Sequence, residues 1–251
     1  MDNRDDVLVV LAAGTGTRLG ALTASAPKWL LDVGGTRIAD RQLGALEDLF
    51  DLSSQLRVVT GHGADELAPV LRSRGIPEGH VLHNEQYATR NNWYSVLLAL
   101  RDLPAGHPGH VFILNSDLFA PSSVYRGFVT ESRRSGADAC LAVDGVRPLT
   151  DEAMKVAVDA GRIVDIGKVG VENPSGEYIG MLVLDTATAQ VLRGLMEDWE
   201  AQDRDANGWY ETVIRDGLLS RADCRAIEVG GQLWVEIDDP ADLETARSVA
   251  P

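Results

Sequence analysis

The chain is poor in cysteine, poor in cations and free of long apolar runs, and each shortage removes a class of function. Cys140 and Cys224 are the only cysteines in 251 residues, far apart and in no CxxC pair or Cys/His cluster. That argues against a disulfide scaffold or thiolate metal centre and fits two buried thiols in a reduced, cytoplasmic protein. Lys and Arg number 23 against 38 Asp and Glu, a formal charge of −15. A field of that sign repels nucleic acid and anionic membrane, so neither is an expected partner. No apolar run approaches the roughly 20 residues a membrane helix needs. The acidic start, Met1-Asp2-Asn3-Arg4-Asp5-Asp6, has no basic n-region and no cleavage site, so no signal peptide is expected. Internal repeats, low-complexity tracts and Pro/Ser linkers are also missing. One domain over residues 1–251 is the expectation.

What is present is an alternation of strands and helices. Residues 7–11 form a Val-rich apolar run ended by a glycine loop, the pattern of a strand buried on both faces. Strands are predicted over 56–60, 81–83, 111–114 and 139–143, with helices over 38–50, 64–74, 92–103 and 122–135. That order predicts an α/β fold, a mixed and mostly parallel sheet flanked by helices. From residue 155 the texture changes. A hairpin is predicted over 155–159 and 162–167, strands over 177–184, 225–229 and 233–237, and helices over 186–201 and 209–218. Asp239 and Pro240 read as the N-cap and first residue of a last helix. The change of texture divides the chain into residues 1–145 and a smaller, β-rich portion, 146–251.

Ligands of open α/β sheets bind at the carboxyl ends of strands. Three features fall there: the loop Ala12-Ala13-Gly14-Thr15-Gly16-Thr17, then Asn84, then Asp117. Small residues expose backbone N–H groups to an anion, and Arg18 and Lys28 add charge in a chain that has little of that sign. The loop is no P-loop, because no Gly-Lys-Ser/Thr follows Gly14 at the required distance. Nor is it a dinucleotide fingerprint, since Leu19 sits where the third glycine belongs.

The string LAAGTGTRLG followed by PKWLLDVGG, Leu11 to Gly35, resembles the signature of the sugar-nucleotide and related nucleotidyltransferases. A looser likeness runs nearly to the end of the chain. Within that superfamily it looks most like the choline-phosphate and phosphonate cytidylyltransferases. Carrying the narrower likeness are His83 to Tyr87, Arg90 to Ser95, Ala153 to Val156 and Trp234 to Asp238. The resemblance implies a single Rossmann-like nucleotidyltransferase domain. It implies that Leu11, Ala12, Ala13, Gly14 and Gly16 lie along the nucleotide, that Arg18 and Lys28 hold its triphosphate, and that Asp117 and Asp238 bind Mg²⁺. Asn84, Asn91, Asn92, Ser95 and Asp117 join the nucleotide site, although Asn91 or Asn92 also reads as an N-cap. Glu236 shares a strand face with Asp238 and is a third metal candidate, while Asp239 competes with Asp238.

Lys155, Glu177, Tyr178, Trp209, Tyr210 and Glu211 form the expected acceptor group. Aromatic faces beside a carboxylate suit an ammonium group. The plainer reading makes Trp209 and Tyr210 core aromatics. The other tryptophans, Trp29, Trp93, Trp199 and Trp234, read as packing, and the histidines show no ligand spacing. The implied reaction joins CMP from CTP to phosphocholine or a 2-aminoethyl- or 2-hydroxyethylphosphonate, releasing pyrophosphate. Three alternatives stay open: a sugar-1-phosphate nucleotidyltransferase, a glycosyltransferase and a non-catalytic nucleotide sensor. Asn115-Ser116-Asp117 lacks the Asp-x-Asp that a glycosyltransferase wants. A homodimer is left open as well.

Overall fold

The first strand shows how the molecule is layered. In the computed structural model, which describes residues 3–104 and 106–249, every residue of Val7–Ala12 is buried. Its side chains alternate between two cores, as the two-residue period of a strand requires. Leu8, Val10 and Ala12 join one cluster; Val7, Val9 and Leu11 join the other. Ile38–Leu46, Ala64–Ser73, Ser122–Ser135 and Pro240–Val249 close the first cluster with residues such as Ile38, Leu67, Phe128 and Leu243. The second is closed by Asn92–Asp102, Thr186–Ala201 and Tyr210–Val213, through Trp93, Met196 and Tyr210. The result is a helix–sheet–helix sandwich.

Among the described residues nine strands form one sheet. Their order is Val81–His83, Leu56–Thr60, Val7–Ala12, Val111–Asn115, Gly176–Leu184, Ala139–Asp144, Cys224–Glu228, Arg162–Gly167, Lys155–Asp159. Arg162–Gly167 and Gly176–Leu184 run against the other seven, so the sheet is mixed and mostly of one direction. Gly176–Leu184 lies antiparallel between Val111–Asn115 and Ala139–Asp144, and so stitches the two halves of the chain together.

Two elements differ from expectation by more than one residue at an end. The helix predicted over 38–50 ends at Leu46, yet Leu49 and Phe50 still pack on the core and so prolong the apolar spacing past the helix. The strand predicted over 233–237 shrinks to Val235–Glu236, because its partner, Leu118–Phe119, is itself only a short extension. Met1 and Asp2 of the acidic start, and Ala250 and Pro251 at the end of the expected domain, lie outside the described residues. Among the described residues no helix is long and apolar enough to cross a membrane.

Val81–His83, Leu56–Thr60, Val7–Ala12 and Val111–Asn115 are mutually parallel neighbours. Their carboxyl ends therefore share one edge, and the glycine loop, Asn84 and Asp117 meet there.

Candidate active site

A cavity of about 440 Å³ opens at this edge. Of the residues expected to bind ligand, its walls include Leu11, Ala12, Ala13, Gly14, Gly16, Arg18, Lys28, Asn84, Asn91, Asn92, Ser95, Asp117, Tyr178, Trp209, Glu211 and Asp238. Lys155, Glu177 and Tyr210 are not among them.

The loop and its cations are set by local structure. Gly16 holds φ +59°, a conformation that favours glycine, and a Cβ there would crowd the Lys28 Cγ at 3.0 Å. The Thr23 hydroxyl and the Leu19 N–H both donate to the Gly16 carbonyl, at 2.8 and 2.9 Å. Lys28 begins a short turn, Lys28–Leu30, whose Trp29 is fully buried. Trp29 Nε1 donates to Gln42 Oε1 at 2.8 Å, and Gln42 Nε2 donates to the Asn115 and Leu118 carbonyls at 3.0 and 2.8 Å. A buried polar bridge thus fixes Lys28 against the turn that carries Asp117. The Ile237 N–H donates to the Asp117 carbonyl at 3.0 Å, which brings Asp238 to the same place.

Three carboxylates converge there. Oxygens of Asp117, Glu236 and Asp238 lie within 4.8 Å of one another. Lys28 Nζ reaches Asp117 Oδ2 at 3.2 Å and also contacts Asp238 Oδ1; Arg18 Nη2 contacts Asp238 Oδ2 at 2.5 Å. Burial works against the charge of Lys28, but the two aspartates outweigh it and hold the ammonium above its usual range. Burial likewise opposes ionised Asp238, and Lys28 and Arg18 outweigh it, leaving that carboxyl below its usual range. Among the described residues no cation forms an ion pair with Glu236. The surrounding protein, then Asp117 and Asp238, push it up.

Asp117 Oδ1 is buried without a hydrogen-bond partner. Hard oxygen donors with one orphaned atom fit a hard divalent cation. Asp239 turns away: its Oδ1 accepts from the Ala241 and Asp242 N–H groups at 2.7 and 3.0 Å, as an N-cap.

On the far side of the loop, buried Asn84 is locked. Its Nδ2 donates to Ser95 Oγ at 3.0 Å and its Oδ1 accepts from the Gln86 N–H at 2.8 Å. Asn91 Oδ1 accepts from the Asn92 N–H at the start of the Asn92–Asp102 helix, so Asn91 is the cap. Asn92 Oδ1 accepts from the Tyr210 N–H at 3.0 Å and ties this wall to the acceptor group.

That group is reshuffled by strand register. Glu177 pairs with Lys155 across the antiparallel strands, so the two share one sheet face. Tyr178, one residue on, takes the other face and lines the cavity. Lys155 Nζ is instead held by the carbonyls of Asp151, Ala153 and Lys168 at 3.0, 3.4 and 2.9 Å. Tyr210 is fully buried, its hydroxyl 2.7 Å from that of Tyr178. Trp209 is the exposed member of the pair, at 38%, whereas Trp29, Trp93, Trp199 and Trp234 are all buried.

Sequence reasoning missed Lys168. Its ammonium lies 5.1 Å from the Trp209 ring centroid, 3.4 Å from Glu152, and on the cavity wall. The signal was there: a lysine between Gly167 and Gly170 at a strand end, like the first loop in kind. Beside it Glu211 is 4% exposed, with Oε2 unpartnered, and burial pushes its carboxyl up to about 7.

Residues 8–206 match the MobA-like NTP transferase domain. The chain belongs to that family. Among relatives of this NTP transferase, the bifunctional IPC transferase and DIPP synthase of Rubrobacter xylanophilus is 30% identical over 96% of the chain; the chain spans only 51% of that relative. The 2-aminoethylphosphonate cytidylyltransferase of Lancefieldella rimae is 25% identical over 94% of the chain and 89% of its own length. The solved CTP:phosphocholine cytidylyltransferase of Streptococcus pneumoniae superposes with a TM-score of 0.74 at 18% identity, covering 97% of this chain and 98% of the other. The last likeness establishes the fold. The NTP transferase fold accounts for the mixed sheet flanked by helices.

Proposed function

We propose that this NTP transferase is an Mg²⁺-dependent cytidylyltransferase that joins CMP from CTP to a small phosphate or phosphonate bearing an ammonium group. One observation carries the reading: a single cavity holds the glycine loop with Arg18 and Lys28 at one end, and Trp209, Tyr178 and Glu211 at the other. The first end suits a triphosphate and the second a cation. On this reading residues 1–145 serve as the nucleotide-binding half and 146–251 as the acceptor-binding and metal-completing half.

The acceptor's phosphate or phosphonate oxygen attacks the α-phosphorus of CTP in line, and pyrophosphate leaves with the electron pair of the broken P–O bond. Both reactants are anions, so positioned positive charge is the main requirement. Arg18 and Lys28 exchange their carboxylate partners for oxygens of the departing phosphates. Lys168 takes the acceptor's anionic end, the role expected of Lys155 from sequence. Asp117 and Asp238, with Glu236, would hold Mg²⁺, which when bound neutralises charge on the phosphate oxygens.

A second reading keeps the chemistry and changes the acceptor to a polyol or sugar 1-phosphate. The neutral groups of Asn115 and Asn207 on the cavity wall favour it. Pyrophosphate release separates the two readings. CTP, GTP, UTP and dTTP are each paired with phosphocholine, 2-aminoethylphosphonate, 2-hydroxyethylphosphonate and several sugar or polyol 1-phosphates. Turnover confined to CTP with ammonium-bearing acceptors supports the first reading. Turnover confined to hydroxyl-rich acceptors replaces it with the second.

A further inference from the structure

Lys168 sits on the loop that leaves the Arg162–Gly167 strand, and three successive carbonyls of that loop are each taken by a cation. Lys168 O accepts from Lys155 Nζ at 2.9 Å, Val169 O from Arg215 Nη1 at 3.1 Å, and Gly170 O from Arg215 Nη2 at 3.0 Å. Val169 itself is 78% exposed, so burial of its own side chain does not anchor the loop. Nor is Arg215 free to wander. Its Nη2 and Nε reach Asp165 at 2.8 and 2.6 Å, and a Cβ on Gly167 would come within 3.0 Å of its Nη1.

The origin of Arg215 gives the contact its meaning. It belongs to a widened π turn, Ile214–Leu218, that continues the Tyr210–Val213 helix on which Glu211 stands. Trp209 directly precedes that helix. Arg215 therefore ties the element that presents Trp209 and Glu211 to the loop that presents Lys168. The planar guanidinium fork meets two carbonyls and, through two nitrogens, a carboxylate at once.

We propose that Arg215 and Lys155 form a two-cation clamp on the 168–170 carbonyl row. The clamp holds the Lys168 ammonium on the cavity wall beside Trp209 and so sets affinity for the acceptor's anionic end. Both are positioning residues: they act through Lys168 and touch no substrate. The kinetic consequence rests on the acceptor reading given above; the geometric one stands alone.

Trp209 makes the geometric part measurable without substrate. The other four tryptophans are buried, so collisional quenching of fluorescence reports mainly on Trp209. Iodide is drawn to a nearby ammonium and acrylamide is not. In Arg215→Ala and Lys155→Met the iodide quenching constant should fall toward that of Lys168→Ala, with the acrylamide constant retained. Hydrogen exchange in residues 167–171 should accelerate in the same two variants. Unchanged iodide quenching and exchange overturn the clamp, whatever the enzyme acts on. Should Arg215→Ala not fold, Arg215→Lys is read instead, with an intermediate loss expected.

The kinetic arm uses the acceptor found by pyrophosphate release. Arg215→Ala should raise its KM about ten-fold or more, with the nucleotide KM held within about two-fold. Added to Lys168→Ala, it should bring no further rise. Multiplying effects, or equal losses for both substrates, overturn the proposal. If wild-type enzyme turns over no acceptor, the functional reading fails while quenching still decides the clamp.

Discussion

The two ends of the cavity are built on different principles. At the nucleotide end a contiguous stretch, Leu11 to Lys28, lays backbone and two cations along the ends of parallel strands. The cations are already engaged by Asp117 and Asp238. At the acceptor end single side chains arrive from separate segments: Tyr178 from a strand, Lys168 from a hairpin edge, and Trp209 and Glu211 from the start of a helix. The first end is a motif and the second an assembly. A chemical step common to a family can be carried by a motif, whereas acceptor choice can vary residue by residue on an assembly.

The largest break in this comparison is at the nucleotide end. Lys28→Ala or Asp117→Ala should lower turnover by at least ~10³-fold at any acceptor concentration, because charge stabilisation of the reacting phosphates is lost. Single-turnover kinetics with excess enzyme checks it. At the acceptor end Lys168→Ala should instead raise acceptor KM about 10- to 100-fold, the cost of one charge-assisted hydrogen bond, and leave nucleotide KM within about two-fold. A loss of kcat at saturating acceptor would erase the distinction.

Trp209→Ala sharpens the comparison further. Losing a cation–π face should weaken an ammonium-bearing acceptor roughly 3- to 30-fold and spare a neutral polyol phosphate. Matched KM measurements on the two acceptor types check it.

The smallest effect concerns Glu211, whose carboxyl is raised from 4.5 to about 7 by burial. Ionised Glu211 attracts an ammonium, so acceptor affinity should climb from pH 6 to 8 in wild type and stay flat in Glu211→Gln. Stability moves the other way. The folded chain holds this proton more tightly than the unfolded chain, so the group's contribution is full below about 4.5 and lost as pH rises through about 7. Wild type should lose at most about 3 kcal/mol across that window relative to Glu211→Gln. Chemical denaturation at several pH values reads the difference.

The contrast also explains what could be read from sequence. Buried parallel strands, glycine turns and an N-cap leave local patterns, so the hairpin over 155–159 and 162–167 and the helices over 122–135 and 186–201 fall where periodicity places them. The nucleotide end lies within such patterns. The acceptor end depends on register, and a strand's faces alternate at every residue. Tyr178 and Glu177 are neighbours in sequence yet face opposite sides, and Lys155 goes with Glu177. Trp209 and Tyr210 divide in the same way, one lining the cavity and the other in the core. The loop that carries Lys168 is met at two carbonyls by Arg215, 47 residues later by number. Nothing local announces that contact.

The most direct test of the account is a ³¹P NMR time course of the protein with CTP, Mg²⁺ and 2-aminoethylphosphonate. The account predicts that the CTP resonances decline as free pyrophosphate and a coupled phosphonate–phosphate pair grow in equal amounts. Release of CDP or orthophosphate in their place, or an unchanged spectrum with this and every other phosphate or phosphonate acceptor, would contradict it.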